Sequence, residues 1–130
     1  MSEAINEMAA SFFDVPSRIG NQPSVLPAEV EDDFIRQIIN YCQREHIEQK
    51  EVLEFEHTLK KGDVQYYWLI KVTNANVEWK YYSGFDDWFI EEITFGSLNC
   101  TLTVSDDTEE YYEVPIDEAA FEEKLNNKLY

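Results

Sequence analysis

From residue 51 onward the side chains alternate with a period of two, and no other feature limits the fold so tightly. Leu53, Phe55, His57 and Leu59 alternate with Glu54, Glu56 and Thr58, the pattern of a half-buried strand. Lys60–Lys61–Gly62–Asp63 then carries a turn signal. Val64, Tyr66, Trp68, Ile70 and Val72 alternate with Gln65, Tyr67, Leu69 and Lys71. Asn74–Ala75–Asn76 predicts a second turn, Val77, Trp79 and Tyr81 a third strand, and Ser83–Gly84 its end. Trp88 to Phe95 reads as a fourth strand, ended by Gly96–Ser97. Leu98, Cys100, Leu102 and Val104 mark one face of a fifth. After Ser105–Asp106–Asp107–Thr108, residues 109–114 make a short sixth. Connections this short join antiparallel neighbours, because a parallel pair needs a longer crossover. The expectation is an antiparallel meander of five or six strands.

Helices flank this block. Ile5, Met8, Phe12 and Phe13 are spaced for a short amphipathic helix over residues 2–14, followed by a Pro-rich connection over 15–27. Val30, Phe34, Ile35, Ile38, Ile39 and Cys42 form one apolar stripe of a longer helix over 28–46. Glu29, Glu31, Asp32 and Asp33 crowd its start, and Arg44 and His46 stand near its end, which complements the helix dipole. At the other terminus Asp117 is an N-cap, Ile116 can staple onto Phe121, and Phe121, Leu125 and Leu129 make a narrow stripe. The fold class is therefore α+β, one domain over residues 1–130, with two N-terminal helices and one C-terminal helix packed on one face of the sheet.

Charge limits the partners. The 130 residues carry 27 acids against 10 Lys and Arg, a net charge of −17. Binding to nucleic acid or to an anionic membrane needs clustered cations and is not expected. No apolar run reaches the roughly 18 residues of a membrane span. The first 14 residues hold acids where a signal peptide carries Lys or Arg. Cys42 and Cys100 suit a reducing compartment as buried thiols, so the expected location is cytoplasmic.

The negative charge is also segregated. Residues 81–123 contain no Lys or Arg, while 13 acids fall within them, among them Asp86, Asp87, Glu91, Glu92, Asp106, Asp107, Glu109, Glu110 and Glu113. Such a run predicts one strongly negative side. Large aromatics are interleaved with it, including Trp88 and Tyr111. The doublets Tyr66–Tyr67, Tyr81–Tyr82 and Tyr111–Tyr112 lie on predicted strands, where neighbours point to opposite faces. Tyr67, Tyr82 and one of the last pair are expected on the face without helices.

Catalytic and metal chemistry find little support. Cys42 and His46 are four apart on one helix, but two ligands do not make a metal site. His57 shares a strand face with Leu53, Phe55 and Leu59, as a partly buried structural histidine does. Cys100 between Leu98 and Leu102 reads as an inert thiol. There is no GxGxxG or GxxxxGK[ST] phosphate loop, and no cofactor is expected.

The resulting expectation is a non-catalytic acidic protein, monomeric or weakly dimeric, that blocks a basic partner. Its sharpest form is an immunity protein that occupies the cationic nucleic-acid groove of a nuclease toxin, with carboxylates standing where phosphates would. The expected contact residues are Tyr67, Tyr82, Asp86, Asp87, Trp88, Glu91, Glu92, Asp106, Asp107, Glu109, Glu110, Tyr111 and Glu113. The alternatives are a homodimeric acidic chaperone or adaptor, using the stripe of 2–14 or 117–130, and a carboxylate-dependent enzyme.

Overall fold

The structure is a computed structural model that describes residues 26–129. The helix expected over 2–14 and most of the connection over 15–27 lie outside the described residues. Two helices and five strands follow in order: α1 (Ala28–Glu45), β1 (Gln49–Lys61), β2 (Val64–Tyr82), β3 (Asp87–Thr94), β4 (Ser97–Ser105), β5 (Glu109–Val114) and α2 (Glu118–Asn127). All strand pairs are antiparallel, so the α+β class and the antiparallel sheet hold.

Two of the expected turns are not turns. Asn74–Ala75–Asn76 lies inside β2, a single strand of 19 residues. Gly96 lies in a bend between β3 and β4, which run on in one direction along the same edge of β2: Asn76 pairs with Thr94 and Thr73 with Ser97. Residues 64–105 are thus one long hairpin, closed by the turn at Ser83–Asp86 and flanked by β1 and β5.

The bend has a local cause. Asn74 adopts a left-handed φ of 54°, which asparagine tolerates better than most residues. The register is the same on both sides of the bend, Thr73 with Ser97 and Asn76 with Thr94, yet the buried set of β2 moves from Trp68, Ile70 and Val72 to Ala75 and Val77. Opposite, the Gly96 N–H donates to the Thr73 carbonyl at 2.8 Å. A Cβ on Gly96 would stand 3.0 Å from the Asn74 Cβ and 3.2 Å from the Thr73 oxygen, so any larger residue there must push these neighbours back by a few tenths of an ångström. Asn and Gly serve reversals and bends within a strand alike, and the sequence pattern alone does not separate the two.

One core holds the helices to one face. Val30, Phe34, Ile35, Ile38 and Cys42 of α1 and Phe121 and Leu125 of α2 pack with Trp68, Ile70, Val72, Ile93, Leu98, Cys100, Leu102 and Val104 of the sheet. Polar contacts fix the layers. Asp33 accepts from His57 of β1 at 2.9 Å and from Gln37 at 2.7 Å, and Gln37 also donates to the Glu56 carbonyl. Glu31 accepts from Lys124 of α2 at 2.9 Å. Two of the four acids at the start of α1 therefore make tertiary bonds beyond any effect on the helix dipole.

α2 also closes a sheet edge. Among the described residues β3 pairs with no strand but β2, and three side chains on successive turns of α2 bond the backbone from Ile93 to Leu98 along this edge. Asn126 accepts from the Ile93 N–H at 2.8 Å and donates to its carbonyl at 2.9 Å. Glu122 accepts from the Phe95 N–H at 3.0 Å, and Glu118 accepts from the Leu98 N–H at 3.3 Å. Asp117 caps the helix by accepting from the Ala120 N–H, as its position predicts.

Candidate functional site

The predicted contact residues do not form one surface. Asp86 and Asp87 stand at the closed end of the β2–β3 hairpin, next to Tyr82. Asp106 and Asp107 follow Ser105, which pairs with Gln65 at the other end of β2. The 17 residue steps between Gln65 and Tyr82 amount to at most roughly 55 Å of extended strand. Sequence proximity suggested one acidic side; the strand that separates the two turns makes two.

The far group comprises Tyr67, Asp106, Asp107, Glu109, Glu110, Tyr111 and Glu113. Tyr67, Thr103 and Tyr111 are cross-strand neighbours on the face without helices, with Thr58 beyond Tyr67. Tyr111 is 65% exposed, and Glu109 and Glu113 flank it on β5. Burial, with the Glu56 carboxylate beside it, pushes the Tyr67 phenol above its ordinary pKa. Glu110 points the other way and accepts from the Tyr112 hydroxyl at 2.6 Å, which removes it from this face. Asp106 accepts from the Thr108 N–H at 3.0 Å and so shapes its own turn.

The near group comprises Tyr82, Asp86, Asp87, Trp88, Glu91 and Glu92, on an arm formed by the last residues of β2 and the first of β3. Its aromatics are unusually bare. Phe85 is 75% exposed, Trp88 51%, Tyr81 43% and Phe89 38%. These are four of the six large hydrophobics exposed among the described residues, and they fall within nine positions. A bulge at Glu91, where the register shifts between Glu78 and Trp79, lets both Ile90 and Ile93 reach the core although they are three apart, but residues 81–89 extend past it.

The aromatics brace one another. Tyr81 packs on Trp88 at a ring separation of 5.4 Å, Tyr82 on Phe89 at 5.3 Å, and Phe85 on Phe89 at 5.7 Å. Asp86 takes a left-handed φ of 53° and bonds the Tyr81 hydroxyl. That bond, with lesser contributions from desolvation and the Asp87 charge, raises the Tyr81 pKa. Asp87 accepts from the Trp88 N–H at 2.8 Å. By register the rings form two sets on opposite faces of the arm, Tyr81 with Trp88 and Tyr82 with Phe89 and Phe85, and Asp86 and Asp87 are fixed at the tip that joins them. Tyr81, Phe85 and Phe89 belong to the arm but are not among the contact residues expected from the sequence, although Phe85 and Phe89 are interleaved with the acidic run. Alternation gives the face a side chain points to, not whether a helix covers it.

At the base of the arm is an open groove of about 760 Å³, lined by His46, Glu48, Gln49, Asn76, Val77, Trp79 and Trp88. His46 ends α1 with a left-handed φ of 51° and stacks on Trp79 at 4.1 Å, the rings 12° from parallel. The Trp79 indole N–H donates to the Ile47 carbonyl at 2.7 Å.

The remaining chemical candidates lie in or against the core. His57 sits edge-on to Phe34 and Trp68 with its Nδ1 on Asp33, a staple between α1 and β1. Burial opposes ionisation of Asp33, but the bonds from His57, Gln37 and Arg36 outweigh it and hold the carboxyl below its ordinary pKa. Burial pushes the Cys42 thiol up to about 11 and the Cys100 thiol up to about 12. Cys42 lies in the core and His46 on the groove, so the pair does not converge. Among the described residues no group of three or more His, Cys, Asp or Glu side chains is placed to hold a metal ion, and no helix is long and apolar enough to cross a membrane.

Comparison with protein-family models, with curated proteins and with solved structures finds no match to this chain.

Proposed function

We propose that the chain is a non-catalytic binding protein that captures a cationic protein through the aromatic and acidic arm at residues 81–92. The observation that carries this reading is the concentration of bare, mutually braced aromatics around Asp86 and Asp87. Exposed apolar patches of this kind mark interaction sites. Aromatic anchors supply most of the binding energy at an interface, and surrounding charges set the rate and choice of partner. A net charge of −17 favours a basic partner.

The sharper form is an immunity protein, cytoplasmic and active as a monomer, that inserts this arm into the phosphate-binding groove of a nuclease toxin. Carboxylates at the tip of a projecting hairpin reach into a groove where a flat acidic face would not. The adaptor alternative has lost one of its two surfaces, because Phe121 and Leu125 of α2 are buried in the protein's own core.

Affinity capture from the native source tests the proposal. The wild-type chain is expected to retain one basic protein in stoichiometric amount, released by a salt gradient. The variant Phe85→Ala/Phe89→Ala is expected to lose about 2 kcal/mol of binding energy or more, roughly 30-fold in affinity, with its circular dichroism unchanged. Equal retention of the same partner by both proteins refutes the arm as the binding surface.

A further inference from the structure

The groove at the base of the arm has the chemistry of a site for one cationic side chain. Its lining residues include two indoles, one carboxylate at Glu48 and the amides of Gln49 and Asn76, and neither Lys nor Arg. The Trp79 wall is held in advance by its hydrogen bond to the Ile47 carbonyl and by the imidazole stacked on it. That stack also shows that this floor accepts a flat, nitrogen-rich ring. Trp88, half exposed, leaves indole surface open to an incoming group.

We propose that the groove receives one arginine side chain of the cationic partner, the guanidinium lying on Trp88 beside the His46–Trp79 stack with Glu48 as its counter-charge. The inference rests on the reading of the arm as the partner surface and adds the side chain that it selects. A guanidinium is flat, weakly hydrated and suited to stacking on aromatic faces, whereas a lysine ammonium is a compact, strongly hydrated point charge. Its five N–H donors match a carboxylate and two amide oxygens. The volume falls within the roughly 300–1,000 Å³ of sites for small ligand groups. The prebuilt wall limits the ordering cost of binding.

The test uses the full chain and the peptide acetyl-Gly-Arg-Gly-amide, with its citrulline and lysine counterparts, followed by the indole N–H resonances of Trp68, Trp79 and Trp88. The arginine peptide is expected to shift Trp79 and Trp88 and to leave Trp68, buried in the core, in place. Trp88→Ala and Glu48→Gln are each expected to weaken binding about five-fold, the scale of one cation–π or exposed ionic contact near 1 kcal/mol. The citrulline peptide is expected to give no shift, and the lysine peptide a weaker one. Citrulline shifts equal to those of arginine, or arginine binding unchanged in both variants, overturn the assignment. The probe needs no partner, so a failed titration removes the groove alone. Retention of the partner by Phe85→Ala/Phe89→Ala, two residues outside the groove, removes the arm.

Discussion

Asn126 provides the most informative stability test, because one amide replaces a missing strand at the edge of β3. In Asn126→Ala the Ile93 N–H and carbonyl both lose their partner, as does the second contact of the side chain, to the Glu122 carbonyl at 2.9 Å. Ile93 is fully buried, and an unsatisfied buried backbone group costs about 1–3 kcal/mol. Two such groups set an upper range of about 2–6 kcal/mol. Asn126 is only half-buried, so water recovers part of this, and alanine is the better helix former by roughly 0.5 kcal/mol. The expected net loss is about 2 kcal/mol. With a urea slope of about 1.5 kcal/mol/M the midpoint falls by a little over 1 M, with the slope itself unchanged. The exposed neighbour Asn127, changed to Ala, is the control and is expected to move stability by less than about 0.5 kcal/mol. If Asn126→Ala falls no further than Asn127→Ala, then α2 does not stand in for a strand, and the closed edge is not a source of stability.

Other outcomes follow from the same geometry. Gly96→Ala is expected to cost about 1 kcal/mol or more, because the new methyl meets Asn74 and the Thr73 carbonyl across the bend; an unchanged melting temperature would show that the bend gives way freely. Asp33 is held below its ordinary pKa in the folded state, so its contribution is present above the unfolded-state value near 3.8 and is lost as the pH falls through the folded value. Acid titration of stability should therefore steepen below about pH 4 in the wild type and flatten in Asp33→Asn. Both thiols, pushed up to about 11 and about 12, should resist a thiol reagent at pH 8 in the native protein and react promptly in denaturant; fast native labelling would contradict their burial.

The sequence shows the strands, their faces and the caps more readily than the path between them. Leu53 to Leu59, Trp68 to Val72 and Leu98 to Val104 announce their buried faces by alternation alone, and Asp117 announces the start of α2. Asn74 and Gly96 read as reversals because the residues that permit a bend in a continuous strand are those that permit a turn. Asp86 and Asp107 lie close in sequence, yet opposite ends of β2 separate them; that fact follows only from register. Glu118 and Glu122, counted as surface charge, are fastened to the backbone of Leu98 and Phe95. Phe85 and Phe89 stand out in the sequence as aromatics among acids, but their exposure depends on how far the helices reach, which periodicity does not encode. The groove at His46 arises from a left-handed helix end meeting a strand 30 residues later, a long-range coincidence with no local signature.

The central claim is that the arm, not the opposite end of the sheet, meets the partner. Amide hydrogen exchange of the captured complex against the free chain tests it most directly. The account predicts slowed exchange at residues 81–92 and at the groove residues 46–49, with residues 106–113 exchanging as in the free protein. Slowing confined to 106–113 and the tyrosine face around Tyr67 would contradict it and move the interface to the far end of β2.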